Sequence, residues 1–409
     1  MGERKKRYMT AKEAASVLGV SRATLYAYVS RGLIRSEPIA QGARRHRYRA
    51  EDVRRLQKRK AQRRDPSLAA EHALHFGAPV LASGLTLIDG ERFYYRGQNA
   101  LALAVTHRVE EVASFLWRGD WRGIELQAFA PHVINKSDAA KMTALERFQH
   151  ALPLASAADF AAYDLQPRAV FATGERIMAL LVAIAAGVPI QRDLVNTLVR
   201  GWGLELEGAQ RLLNAALILC ADHELNVSSF TARCVASACS TPYQVVQAGL
   251  AALQGTKHGG HTARVAALLD EVGRPQRARH ALGERLRRGD PVPGFGHVLY
   301  PNGDPRARIL FELMEEVASD APVLALARAV KQQAAELVGE QPTIDFALAT
   351  LARLLGRDQD GGLAIFALGR TIGWLAHALE QYEEDTMIRP RARYIGPLPS
   401  ENDEESVVL

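Results

Sequence analysis

Three histidines, one carboxylate and a set of arginines hold most of the chemistry in the C-terminal half of the chain. His223 stands in DHELNVSSFTARCVASA, His258 in QGTKHGGHTARV and His297 in PVPGFGHVLYPNGDPRARIL, all polar or Gly-rich settings. Asp345 sits in an apolar frame, PTIDFALA, and Arg306, Arg370, Arg389 and Arg391 are spread over the same half. Arginine forks match carboxylates two bonds at a time, so a di- or tricarboxylic acid would occupy two or three of them. Histidines can donate to carbonyl oxygens, where negative charge develops during enolisation or aldol addition. A carboxylate with a pKa of about 3.9 is too weak a base to form a free carbanion from a C–H group. Proton removal by Asp345 therefore requires a donor on the carbonyl oxygen in the same step, which pairs it with a histidine. Spacing alone leaves open the alternative that these residues play scattered structural roles.

His258 and His261, three apart around Gly259-Gly260, could be half of a metal site. No second His/Cys pair or acidic partner stands at ligand spacing, and tetrahedral zinc needs three or four such groups, so no metal is expected. No G-x-G-x-x-G follows a strand, and neither a Walker-type loop nor a G-x-S-x-G elbow is present. Cys220, Cys234 and Cys239 form no C-x-x-C pair and are expected as small buried thiols in a reducing cytoplasm.

The elements that must position these groups are mostly helical. From Leu101 onward the chain is Ala/Leu-rich at helical spacing, and only GLTLIDGERFYYRGQ, alternating around Asp89-Gly90, reads as a strand hairpin. Hydrophobic residues make up 48% of the 409, which suits a large helical body. The longest apolar stretch, near Met178–Ile190, reads as too short to span a bilayer. The first residues lack the apolar run of a secretory leader, so a cytoplasmic protein is expected.

The net charge of +6 is unevenly distributed. Residues 1–65 hold 19 Lys+Arg and 6 Asp+Glu, hence +13, and the remainder holds 32 and 39, hence −7. Thr10 and Glu13 form a capping box before an apolar face of Ala14, Val17 and Leu18, with Gly19 as the stop. Ser21 starts a second helix with Leu25 and Val29 facing inward and Gly32 ending it, and the basic GARRHRYRAEDVRRLQKRK follows. These roughly 60 residues resemble the winged helix-turn-helix module of the MerR and excisionase families. The resemblance implies that Arg22, Ala23, Thr24 and Tyr26 face the DNA major groove and that Arg44, Arg45 and Arg47 meet phosphates. A solvated basic face on a small helical domain is the alternative.

LTLIDGERFYYRG, DHELNVSSFTARCVAS, HGG, PGFGHVLYPNGDPRA and GRTIGWLAHALEQ…RPRARYIG occur in that order. Five collinear blocks between about Leu81 and Gly396 resemble the citrate synthase family. The resemblance implies an all-α fold with a large and a small domain that close over the substrates, acetyl-CoA and oxaloacetate, within a homodimer. His258 then stabilises the enol of the thioester, Asp345 removes the methyl proton and His297 polarises the oxaloacetate ketone. His223, Arg306, Arg370 and Arg389 hold oxaloacetate, Arg389 from across the dimer interface, and Gly294, Phe295 and Gly296 contact CoA. No metal or other cofactor is implied, since CoA enters as a substrate thioester. The chain departs from the family pattern at His261 and Thr262, at Val298, and at Ala347 beside the base.

The expected layout is a helix-turn-helix domain over 1–64, a linker over 65–80, a catalytic domain over 81–400 and an acidic tail over 401–409. Two classes of function are open. One is an enzyme condensing acetyl-CoA with oxaloacetate, or propionyl-CoA in a methylcitrate synthase. The other is a transcription regulator whose body senses CoA esters or dicarboxylates.

Overall fold

The computed structural model describes residues 8–38, 46–54, 56–57, 80–126, 141–190, 193–357 and 359–397. The chain divides into two compact units, Met1–Ala82 and Ser83–Leu409. Arg44, Arg45, the tail 401–409 and the linker 65–80 up to its last residue lie outside the described residues.

In the first unit β1 (Tyr8–Met9) leads into α1 (Ala11–Leu18). Thr10 Oγ1 accepts from the Glu13 N–H while the Glu13 carboxylate accepts from the Thr10 N–H at 2.8 Å, the capping box read from the sequence. Gly19 closes α1 in the left-handed conformation. Ser21 caps α2 (Arg22–Ser30) by accepting from the Thr24 N–H at 3.1 Å. The strands β2 (Ser36–Pro38) and β3 (His46–Arg49) pair antiparallel as the wing, and β1 covers the other edge of β3. Ala14, Leu18, Leu25, Ile34, Tyr48 and Val53 form the small core. Arg35 donates from its backbone and its guanidinium to buried Asp52, which ties the wing to the helical stretch 50–54.

The second unit opens with an antiparallel meander, β4 (Thr86–Asp89), β5 (Arg92–Tyr95) and β6 (Gln98–Asn99). Asp89 pairs with Arg92, so the hairpin loop is Gly90-Glu91, one residue later than the Asp89-Gly90 pair suggested. Helices α3 (Ala100–Thr106), α4 (Val109–Arg118), α5 (Ala144–Ala158), α6 (Pro167–Ala186), α7 (Leu194–Gly201) and α8 (Ala209–Cys220) follow. Next come α9 (Val227–Ala236), α10 (Pro242–Leu253), α11 (Gly260–Val272) and α12 (Ala278–Arg287). The chain then forms α13 (Pro305–Ala318), α14 (Pro322–Val338), α15 (Ile344–Leu354) and α16 (Gln359–Glu384).

Helix α16 is the axis of this unit and packs on α8, α9, α10, α11 and α15. Its small residues permit that density: a Cβ at Gly369 would lie 2.6 Å from the Leu217 carbonyl of α8. One residue on, Arg370 is thereby carried into the interior beside the end of α8.

Most of the apolar stretch near Met178–Ile190 lies in α6, which reaches back to Pro167, ends at Ala186 and is 20 residues long with a mean hydropathy of 1.7 over its most apolar window. Length and composition would thus allow a span, contrary to the sequence reading, as they would for Asp360–Glu384. Of those two windows 67% and 89% is buried within the protein, so packing on neighbouring helices accounts for the apolar character.

Candidate active site

His223 follows α8 on a kink that no helix would tolerate: Glu224 has φ +51°, in the left-handed region that residues other than Gly and Asn seldom adopt. Buried partners hold the kink. The Tyr95 hydroxyl donates to the Ile218 carbonyl at 2.8 Å and accepts from the Asp222 N–H at 3.1 Å. The Asp222 carboxylate accepts from the Thr86 hydroxyl at 2.5 Å and lies 3.1 Å from His377 Nε2. The hairpin thus fixes the segment that carries His223. The His223 Nε2 then meets the Tyr300 hydroxyl at 2.9 Å, and its ring stands edge-on to His297 with centroids 5.6 Å apart.

His297 lies on the irregular loop between α12 and α13. Its Nδ1 accepts from the Leu299 N–H at 3.1 Å, which places the proton of the neutral ring on Nε2 and makes that nitrogen a donor. Asp304 caps α13 and grips Arg306 through Nε at 3.0 Å and Nη2 at 2.8 Å. Its carboxylate also accepts from the Ile344 N–H at 3.0 Å. The loop bearing His297 is thus tied to the start of the helix bearing Asp345.

His258 precedes α11, and its Nε2 lies 2.8 Å from the Ser228 hydroxyl at the start of α9. Thr262, in the first turn of α11, donates to Asp345 Oδ1 at 2.7 Å. Arg370 is buried at 1% exposure, donates from Nε to the Cys220 carbonyl at 2.8 Å and lies over the Phe366 ring. The ring of His258 abuts the same Phe366, with centroids 5.9 Å apart. The Arg370 Nη2 is buried with no hydrogen-bond partner. A buried guanidinium with an open donor invites an anion.

The electrostatics favour neutral histidines beside a fixed positive field. Burial, helped by Arg370, pushes the His258 pKa down to about 3. Burial and Arg306 push His297 down to about 4. His223 is lowered well below 6.5 by burial and by Arg306 and Arg370. Burial raises the Asp345 carboxyl above the ordinary carboxylate value, against the Thr262 hydrogen bond. Neutral imidazoles donate to a carbonyl oxygen without offering a second proton, and a raised carboxylate is a better base.

The structure thus gathers His223, His258, His297, Asp345, Arg306 and Arg370. Arg389 is not among them: it lies exposed on the segment after α16, as does Arg391. His377 is buried beneath the site against Asp222, and Arg233 is buried on Glu380, Gln381 and Glu384. Of the cysteines only Cys220 is fully buried; Cys239 is exposed, which corrects the expectation of buried thiols. Among the described residues no group of three or more His, Cys, Asp or Glu is arranged to hold a metal ion. Ser228 and Tyr300 are site residues that the sequence did not single out, and Thr262 stands there only as a departure from the family pattern, not as a partner of Asp345. Ser228 had a weak local signal, following the Asn226 cap; Tyr300 had none.

In the first unit Arg22 and Ala23 are exposed, Thr24 is half-buried and Tyr26 is 53% exposed on α2. Arg47 is engaged with Glu37 at 3.2 Å and lies over the Tyr8 ring, so it enters as part of a Tyr8–Glu37–Arg49 cluster.

Residues 75–391 match the family model described as citrate synthase, C-terminal domain, and residues 8–61 match a helix-turn-helix domain. The chain belongs to the citrate synthase family. It is 32% identical to the citrate synthase of Haloferax volcanii over 359 residues, covering 78% of this chain and 94% of that protein. It is 38% identical over 187 residues to citrate synthase 2 of Bacillus subtilis, a match spanning 45% of this chain and half of that protein's length. A 2-methylcitrate synthase of Shewanella oneidensis matches at 34% over 193 residues, 46% of this chain and 51% of that protein. Among solved structures, citrate synthase from Thermotoga maritima superposes with a TM-score of 0.63 at 26% identity, covering 80% of this chain and 96% of that one. The helical body therefore has the citrate synthase fold, with a helix-turn-helix domain ahead of it.

Proposed function

We propose that this chain condenses an acyl-CoA thioester with oxaloacetate and that acetyl-CoA gives citrate and free CoA. The observation that carries the reading is a raised carboxylate at Asp345 gathered with neutral histidines and with the buried, open-ended Arg370. Arg370 and Arg306 take the carboxylates of oxaloacetate, and His223 helps to seat it. Asp345 removes a methyl proton from the acyl group while His258 donates to the thioester oxygen. The Ser228 hydroxyl donates to Asn226 Oδ1 at 2.7 Å and lies 2.8 Å from His258 Nε2, so it fixes the orientation of the ring from the start of α9. The enol carbon then attacks the ketone carbon, and the His297 Nε2–H donates to the oxygen that becomes the alcohol. Hydrolysis of the resulting thioester releases CoA. CoA is a substrate here, and the chemistry uses no metal or redox cofactor. On the same reading Arg389 serves the neighbouring copy in a cytoplasmic homodimer.

The test is thiol release by the purified full chain, with acetyl-CoA or propionyl-CoA and with or without oxaloacetate. Release from acetyl-CoA that depends on oxaloacetate is expected. Faster release from propionyl-CoA would assign a methylcitrate synthase, and none from either would end the enzyme reading.

The first unit supports a second reading, DNA binding, because residues 1–65 carry +13 and α2 presents Arg22 and Tyr26 outward. Titration of the full chain into duplex DNA is expected to show binding at 50 mM salt. About four phosphate contacts would weaken it about 100-fold by 200 mM. No binding at 50 mM would remove this reading.

A further inference from the structure

His261 stands directly after the Gly259-Gly260 pair, and its ring makes a hydrogen bond to the loop that leads to His297. The His261 Nε2 accepts from the Gly294 N–H at 3.0 Å. Gly294 has φ +85°, and a Cβ there would lie 2.7 Å from Val265 of α11 and 3.0 Å from Phe346 of α15. Only glycine fits a left-handed position this closely wedged. The Gly294 carbonyl in turn accepts from the Thr343 N–H at 2.8 Å and the Thr343 hydroxyl at 3.2 Å, and the Gly296 N–H donates to the Gln341 carbonyl at 2.9 Å. The loop 294–296 is therefore anchored on one side by the strand-like stretch before Asp345. His261 supplies the anchor on the other side.

Three consecutive features of QGTKHGGHTARV reach three different parts of the site. His258 faces Ser228, His261 holds the Gly294 amide and Thr262 holds the Asp345 carboxylate. Gly259 makes this compactness possible, since a Cβ there would lie 2.6 Å from Leu253 at the end of α10. An alanine at position 261 would leave the Gly294 amide without this acceptor.

We propose that His261 is a positioning residue that latches the 294–296 loop against the enolising pair and so governs thioester binding rather than oxo-acid binding. This deepens the condensation reading and rests on it for the identity of the ligand. His261 touches no group assigned to oxaloacetate. Its effect passes through the loop to the carrier of the acyl group.

The experiment compares wild type, His261→Ala and His261→Gln in the full chain. Glutamine sets an amide oxygen about where Nε2 stands and restores the acceptor. His261→Ala is expected to raise the KM for acetyl-CoA about fivefold, the size of one buried hydrogen bond. The oxaloacetate KM and kcat should stay within about twofold, and His261→Gln should recover most of the loss. Equal rises in both KM values, or no change in the thioester KM, would overturn the latch. Hydrogen exchange over residues 292–297 gives a readout independent of activity: faster in His261→Ala, near wild type in His261→Gln. If wild type releases no thiol, the condensation reading fails and exchange alone decides the latch, unchanged exchange refuting it.

Discussion

Asp345→Asn is expected to lower oxaloacetate-dependent thiol release by about 10³-fold or more, with binding of both substrates retained. General base catalysis contributes about 10²–10⁴-fold, and Asp304, a second carboxylate in the same field, is committed to Arg306 and the Ile344 N–H. The substitution keeps shape, and the Thr262 hydroxyl that donates to Oδ1 at 2.7 Å can donate equally to the amide oxygen. The loss should therefore fall on kcat rather than on folding, which circular dichroism and a thermal melt would check. The same assignment sets the pH dependence. Asp345 acts when ionised, and burial raises its pKa, so kcat should rise with pH through a value above the ordinary carboxylate range. His258 and His297, at about 3 and about 4, stay neutral donors throughout that limb. The residual rate of Asp345→Asn should lack the limb. Wild-type turnover in Asp345→Asn, or a limb that survives in it, would sink the assignment.

The parts of this molecule legible in its sequence are those set by neighbours along the chain. The Thr10–Glu13 box and the Ser21 cap are bonds over three residues, and their residue types announce them. The blocks of the candidate site were legible as types and order: a histidine beside two glycines, another in a Pro/Gly loop, an aspartate at a helix start. What the sequence could not supply were the groups that set orientation. Ser228 reaches His258 across 30 residues, Tyr300 reaches His223 across 77, and Thr262 reaches Asp345 across 83. No local pattern encodes such pairings, because they arise only when helices pack. The wing shows the converse limit. Strand register places Glu37 directly opposite Arg47, an ion pair that the basic run of the sequence does not announce. Likewise α6 passes for a shorter stretch because Gly174, Glu175 and Arg176 interrupt its apolar run, although Pro167 stands at the first turn of one continuous helix.

Arg306 and Arg370 are both assigned to oxaloacetate, yet removing them should have opposite consequences for the empty protein. Arg306 is paired on two donors with Asp304, a carboxylate at 3% exposure. Arg306→Met would strand that charge, and breaking a buried pair from one side costs about 3–5 kcal/mol. Arg370 has no comparable carboxylate grip. Its Nε rests on a carbonyl, its Nη2 is unpartnered, and burial lowers its pKa, the mark of desolvation that the protein alone does not offset. Asp222, an acid that acts on Arg370 through space, keeps Thr86 and His377 as its own partners. Arg370→Met is therefore expected to melt at or above the wild-type temperature while Arg306→Met melts well below it. Oxaloacetate should lift wild type above Arg370→Met. At about 100 times Kd a ligand stabilises wild type by about 2.7 kcal/mol, and that shift should vanish in Arg370→Met. A lost charge-assisted bond of about 3 kcal/mol corresponds to an oxaloacetate KM raised about 10²-fold. If Arg370→Met keeps the oxaloacetate-induced shift, Arg370 is a structural residue and the anion site lies elsewhere. If it loses the shift at undiminished stability, the unsatisfied guanidinium is the feature that substrate completes.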